Sequence, residues 1–108
     1  MSDQQETARL VARAFASYEK HRDPAWPVIA NPHVQFDRTP DDEEVIRAWF
    51  VMQTATRRTL EAGRTLLKMK RALDDALEIA GVDAFVWLAD PGTVPPGIPC
   101  LPAVETGR

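Results

Sequence analysis

The longest regular pattern of apolar and polar positions lies between Thr39 and Gly81. Apolar or small residues recur there at alternating three- and four-residue intervals, and Thr59 is the only polar exception. This spacing is typical of a helix that packs lengthwise against another helix. It predicts one long amphipathic helix over about 40–80. The predicted packing and dimer seam consists of Val45, Ala48, Met52, Ala55, Ala62, Leu66, Met69, Leu73, Ala76 and Ala80.

Both ends of this predicted helix carry capping signals. Thr39 is a suitable N-cap, Pro40 suits the first helical position, and residues 41–44 place negative charge in the first turn. Gly81 can adopt the left-handed conformation that ends a helix. Gly63 costs about 1 kcal/mol relative to alanine inside a helix. The seam keeps its phase across Gly63, so we expect a continuous or gently kinked helix there, with a fold-back at this residue as the alternative.

The length of the predicted helix implies a partner. About 40 residues would span ~60 Å as a helix, whereas a compact domain of this size has a radius of gyration near ~13 Å. A shorter amphipathic helix is predicted over 3–20, and it covers only part of the long one. We therefore predict a mainly α fold, in which the long helix packs with the N-terminal helix in a dimeric helical bundle.

The remaining segments are rich in proline. A single helical domain is predicted over 1–92, and within it residues 23–38 form an ordered, extended connection with Trp26 as a plug in the core. Residues 82–90 form a short apolar segment whose periodicity fits a strand or a helix equally well. Residues 93–108 are predicted to be a proline-rich extended tail.

Composition narrows the class of protein without naming a function. The 108 residues are 44% apolar and 27% charged, with a net charge of −3, which is ordinary for a globular protein and implies no particular partner. No apolar run approaches the ~20 residues that span a bilayer, and the amino-terminal sequence is too polar for a secretory signal, so a cytoplasmic location is expected. The single cysteine, Cys100, excludes an intramolecular disulfide and a zinc site built from cysteines. No cofactor and no metal are expected.

A ridge of basic residues is the strongest functional pattern within the predicted long helix. Arg57, Arg64 and Arg71 recur every seven residues opposite the seam, with Lys68 beside them. Such a ridge can follow a phosphate backbone, which makes these four residues a possible nucleic-acid contact. The alternative is a solvated helix face, and the acidic balance of the whole chain favours that alternative.

The tail offers a second possible contact surface. Pro96, Ile98 and Leu101 lie in an extended segment of the kind that docks in grooves of partner proteins, or that straps onto its own helices. No catalytic residue is predicted, because the sequence holds no nucleotide-binding, metalloprotease or nucleophile-elbow motif. A pair formed by His33 and Cys100 would place its nucleophile in a tail, which is a poor site for preorganised catalysis.

These patterns favour a non-catalytic helical module for protein–protein interaction, an adaptor that acts as a homodimer. One alternative is a small nucleic-acid-associated protein that uses Arg57, Arg64 and Arg71. A second alternative is a small all-helical enzyme with a site between its helices, where Arg47 and Arg58 would reach a small anionic substrate.

Overall fold

The fold combines two helices with one sheet. The computed structural model describes residues 3–94. Its elements in chain order are α1 (Asp3–His21), β1 (Ile29–Arg38), β2 (Glu44–Met52), α2 (Leu60–Ile79) and β3 (Phe85–Ala89). The three strands form one sheet in the order β1-β2-β3, with β1 antiparallel and β3 parallel to β2. This is an α/β fold, so the prediction of a mainly α helical bundle is wrong.

The helix predicted over 40–80 is two elements, β2 and α2, separated by residues 53–59. Val45, Ile46 and Trp49 are β-branched or aromatic residues that favour a strand. The predicted seam did not reveal this, because residues four apart share a face both in a helix and in a strand. Ala48 and Met52 satisfy both patterns, and both are buried in β2.

The seam residues are therefore spread over different elements. Val45, Ala48 and Met52 lie in β2, Ala55 lies in the connection, Ala62, Leu66, Met69, Leu73 and Ala76 lie in α2, and Ala80 is the C-cap of α2. A single helical stripe shared with a second chain does not exist in this fold.

The break in the predicted helix occurs before Gly63. Thr59 has an extended backbone, with φ −121°, and its Oγ1 accepts a hydrogen bond of 3.0 Å from the Ala62 N–H, which makes it the N-cap of α2. The only polar residue in the predicted seam thus marks the true start of the helix. Gly63 lies within the first turns of α2, so neither a kink nor a fold-back is needed there.

The signals taken for a helix start belong to the turn between β1 and β2. The Asp42 N–H donates to the Thr39 carbonyl at 2.9 Å, and the Glu43 N–H donates to Thr39 Oγ1 at 3.2 Å. Asp42 has a φ of 64°, a left-handed conformation that aspartate tolerates better than most residues. Pro40 suits the turn as well as it suits a helix start.

The predicted end of the helix at Gly81 is confirmed. Gly81 has a φ of 82°, and its N–H donates to the Glu78 carbonyl at 3.0 Å. The Val82 N–H donates to the Leu77 carbonyl at 2.9 Å, which completes a Schellman motif. Leu77 and Val82 are both buried, as the hydrophobic contact of that motif requires.

The hydrophobic core lies between the two helices and one face of the sheet. It includes Val11, Ala14 and Tyr18 of α1, Met69, Leu73 and Leu77 of α2, and Val34, Ala48, Phe50, Met52 and Val86 of the sheet. Trp26 packs against this core, and its ring stacks on Tyr18 with a centroid distance of 6.2 Å. Met69 and Leu73 thus do pack as predicted for buried helix positions, but against elements of their own chain.

Two segments that the sequence left without a firm helix assignment contain strands. The predicted connection over 23–38 contains β1, and the undecided segment over 82–90 contains β3, which pairs with β2. The tail positions Pro96, Ile98 and Leu101 lie outside the described residues.

Candidate interaction surface

The two faces of the sheet carry different residues because side chains alternate along each strand. Ala48 and Phe50 of β2 belong to the core beneath the helices. Arg47 and Trp49 point to the opposite side, as does Trp87 of β3, and none of these three belongs to that core. We call this second side of the sheet the open face.

An aromatic pair occupies the centre of the open face. Trp49 and Trp87 are register partners on β2 and β3, and their rings stack with centroids 5.5 Å apart and planes 20° apart. The Trp49 Nε1 donates to Oε1 of Gln35 on β1 at 3.1 Å. All three strands therefore help to fix the orientation of this pair.

An ion pair lies beside the aromatic pair. The Arg47 Nη1 donates to Asp37 Oδ2 at 2.7 Å, across β1 and β2. This hydrogen bond is the main reason that the pKa of Asp37 falls below its usual value of 3.8, and a second hydrogen bond from the Arg38 N–H acts in the same direction. Arg47 therefore forms an ion pair with Asp37, whereas Arg58 lies in the connection that follows β2.

Strand β3 is an edge strand. Its single neighbour in the sheet of residues 3–94 is β2, so its other edge presents backbone N–H and C=O groups without a strand partner. Proteins commonly block such edges with charged residues or proline. The sequence of β3, FVWLA, contains neither. Its short length of five residues is one protective feature.

An apolar groove runs between this free edge and α2. The groove has a volume of about 530 Å³ and is lined by Leu66 and Leu67 of α2 together with residues 85–88 of β3. Phe85 is 62% exposed and Trp87 is 48% exposed, which is high for aromatic residues in a strand. We call this surface the β3 groove, and it shares Phe85 and Trp87 with the open face.

The rim of the β3 groove carries one charged residue of each sign. Lys70 and Asp74 both line it, and the Lys70 Nζ lies 3.1 Å from Asp74 Oδ2. These two charges satisfy each other, so the groove presents no unpaired charge from this pair. Sequence reasoning missed the groove because it left 82–90 undecided; the two-residue spacing of Phe85 and Trp87 is the signal that could have found it.

The predicted basic ridge is only partly continuous. Arg64, Lys68 and Arg71 are all exposed on α2, at intervals of four and three residues that place them along one side of the helix. Arg57 is also exposed, but it lies in the connection before α2 and does not extend the helical row.

Residues 3–94 show neither a metal site nor a membrane-spanning helix. This part of the chain contains no group of three or more histidine, cysteine, aspartate or glutamate side chains that could hold a metal ion. Neither of its helices is both long enough and apolar enough to cross a membrane.

Comparisons of the chain with protein-family models, curated proteins and solved structures found no significant match. The function must therefore be argued from the surfaces described above.

Proposed function

We propose that this protein is a non-catalytic protein–protein interaction module that receives an extended segment of a partner at the free edge of β3. The observation that carries the proposal is an apolar edge strand, without charge or proline, beside an apolar groove of about 530 Å³. A cytoplasmic location, expected from the sequence, is kept as part of this proposal.

Strand addition uses both features of this surface. Backbone hydrogen bonds to a free edge supply affinity, and pockets for alternate side chains supply specificity. In a segment paired with β3, side chains on one side would enter the groove beside Leu66 and Leu67. Side chains on the other side would contact Phe85 and Trp87. The chemistry favours an extended segment that is apolar and has no charged residue at its centre.

The charged groups near this surface support a binding role over a catalytic one. Lys70 is paired with Asp74, and Arg47 is paired with Asp37. A general acid or base needs a pKa near the working pH and a position facing a substrate. Pairing with Arg47 moves the pKa of Asp37 further below neutrality, which suits a structural ion pair.

The test is a pair of matched lysine substitutions. Phe85→Lys places a charge on the free edge, whereas Ile79→Lys changes an apolar residue that is 88% exposed at the end of α2 and does not line the groove. Random linear peptides displayed on phage are selected on the wild-type chain at low protein concentration, and their affinities are measured for all three proteins.

Selected peptides should bind the wild type and Ile79→Lys equally, and should bind Phe85→Lys about tenfold or more weakly, because lysine blocks edge pairing. In amide NMR spectra their binding should shift the resonances of residues 85–89. Equal affinity for Phe85→Lys, or shifts confined to another surface, would overturn the proposal.

A second candidate is nucleic-acid binding by the exposed row of Arg64, Lys68 and Arg71. No salt bridge joins these three residues to the rest of residues 3–94. If they contact phosphates, affinity for duplex DNA or RNA should fall steeply with salt, and replacing all three with glutamine should reduce the logarithmic salt slope by about 3. Failure to bind either duplex at low salt would remove this candidate.

A further inference from the structure

We infer that the segment received at the β3 edge is β3 of a second copy of this chain, so that two sheets join antiparallel into one six-stranded sheet. This inference rests on the proposed function, and it names the partner for the same surface. The notion of a homodimer along a helical seam is replaced by one along a strand.

Strand β3 is complementary to a second copy of itself. When an antiparallel pairing is centred on Trp87, all five residues of the strand find a partner. Phe85 then lies opposite Ala89 of the second copy, on the open face, and Val86 lies opposite Leu88. A large residue meets a small one, and two aliphatic residues of moderate size meet on the core side. Register shifts in either direction leave residues of this short strand unpaired.

The aromatic pair would also be extended by a second copy. Trp87 is the central residue of β3 and already stacks on Trp49 at 5.5 Å. A two-fold axis at Trp87 places this residue directly beside Trp87 of the second copy, on the same side of the sheet. The two pairs then form one row of four indole rings across the joined sheets, which covers aromatic surface that a single chain leaves exposed.

The charges near β3 are compatible with a contact between two copies. Strand β3 has no charged residue, and the groove rim carries the paired charges of Lys70 and Asp74. A second copy therefore brings no unpaired like charge to this contact. The electrostatic repulsion between two copies is also small, because each chain carries a net charge of only −3.

The exposed area fits a weak, reversible dimer. Covering the exposed parts of Phe85 and Trp87 would remove roughly 200 Å² of aromatic surface per chain, since such side chains present about 150–250 Å² each. Leu67, which is 50% exposed, and the strand backbone add to this area. The total for two chains stays below the ~1,000 Å² at which specific interfaces begin, as in weak, transient contacts. The expected dissociation constant is therefore micromolar or weaker.

The chain's own tail is a less suitable occupant of the edge. Residues 95–102 include four prolines, which lack the N–H that a strand ladder needs. An intramolecular occupant would also act independently of protein concentration, which separates the two possibilities in experiment.

The main experiment is sedimentation velocity on the full chain, from micromolar to millimolar concentration. Wild type and Ile79→Lys should pass from monomer to dimer with the same dissociation constant. Phe85→Lys should remain monomeric or dimerise at least about tenfold more weakly, while its circular dichroism spectrum matches that of the wild type. A dimer of Phe85→Lys with unchanged affinity would overturn the inference.

The register is tested by disulfide trapping in a Cys100→Ser background. Residues directly opposite in an antiparallel pair have Cβ atoms about 4.5–5.5 Å apart, whereas Phe85 of the two copies would lie about 14 Å apart. A mixture of Phe85→Cys and Ala89→Cys chains should therefore form a mixed disulfide under mild oxidation, and Phe85→Cys alone should not. Efficient trapping of Phe85→Cys with itself would contradict the pairing centred on Trp87.

The two proposals can fail separately. If the wild type stays monomeric throughout the concentration range, the second copy is not the occupant and the inference is overturned. Peptides that still bind the wild type and lose affinity for Phe85→Lys would then preserve the proposed function with a different protein partner.

Discussion

The two faces of the sheet are built from the same strands but have different environments. On the covered face, Phe50 and Met52 are each 1% exposed beneath the helices. On the open face, the side chains of Phe85 and Trp87 are 62% and 48% exposed. Burial of apolar surface on the covered face stabilises the fold, whereas the exposed aromatic surface contributes less to it. Exposed apolar surface of this kind is common at interaction sites.

The largest expected effect is the difference in stability between two phenylalanine variants, one on each face of the sheet. Phe50→Ala should lower the free energy of unfolding by about 3–5 kcal/mol, because it leaves a cavity in the core. Phe85→Ala should change it by about 0.5 kcal/mol or less, as is usual for surface substitutions. Urea denaturation of the two variants measures both values. Similar losses would show that the open face is as important for folding as the covered one.

The coupling free energy between Trp49 and Trp87 measures whether the open face is ordered in solution. A double-mutant cycle with Trp49→Ala and Trp87→Ala should give a coupling free energy of about 0.5–1.5 kcal/mol, as expected for stacked rings. Urea denaturation of the four proteins provides the values. Trp26 stacks on Tyr18 instead, so a control cycle with Trp26→Ala and Trp87→Ala should be additive. Additivity in the first cycle would mean that the stack does not persist in solution.

The same contrast explains how much of the fold the sequence could predict. The end of α2 at Gly81 was predictable because its signal is local, and Met69 and Leu73 were correctly expected to be buried in a helix. The segment from Val45 to Met52 was assigned to the wrong element, since a four-residue spacing fits a helix turn and two strand periods alike. Its β-branched and aromatic residues were the better signal.

The candidate surface was harder to predict than the core. Strand β3 pairs with β2, and the whole of α2 lies between these two strands in the sequence. No local pattern in 82–90 reveals a partner so distant in sequence. An edge strand is defined by what does not pair with it, which only the assembled sheet can show. The apolar periodicity led us to expect an interaction module, but it directed attention to a helical seam.

The covered layer contains one polar group whose removal should be favourable. Tyr18 is 4% exposed, and its hydroxyl makes no hydrogen bond within residues 3–94. Tyr18→Phe should therefore raise the free energy of unfolding at neutral pH by about 1 kcal/mol, since an unsatisfied buried hydroxyl is costly. Urea denaturation at pH 7 checks this value. A loss of stability would show that the hydroxyl has a partner in solution.

Tyr18 also predicts a response to alkaline pH. Burial raises the pKa of Tyr18 from 10.0 to about 12, so the folded state holds this proton more tightly than the unfolded state. The resulting stability is fully present below pH 10 and is lost as the pH rises through about 12. Wild type should lose more stability than Tyr18→Phe over this interval in denaturation measurements. Parallel losses would indicate that Tyr18 is accessible to solvent.

The smallest expected effect concerns the ion pair on the open face. The hydrogen bond from Arg47 lowers the pKa of Asp37 below 3.8, so the folded state favours the carboxylate. The stability that it provides is present above the unfolded pKa and is lost as the pH falls through the folded pKa. Because both side chains are partly exposed, solvent screening keeps the effect small.

Asp37→Asn should therefore lose less stability than the wild type as the pH falls from about 5 to about 2. In this range a paired carboxylate becomes protonated and its contribution to stability is lost. Arg47→Gln should behave in the same way, since it removes the donor that lowers the pKa of Asp37. Thermal denaturation at several pH values measures all three proteins. If the three acid limbs coincide, the ion pair is not maintained in solution, and it does not contribute to the order of the open face.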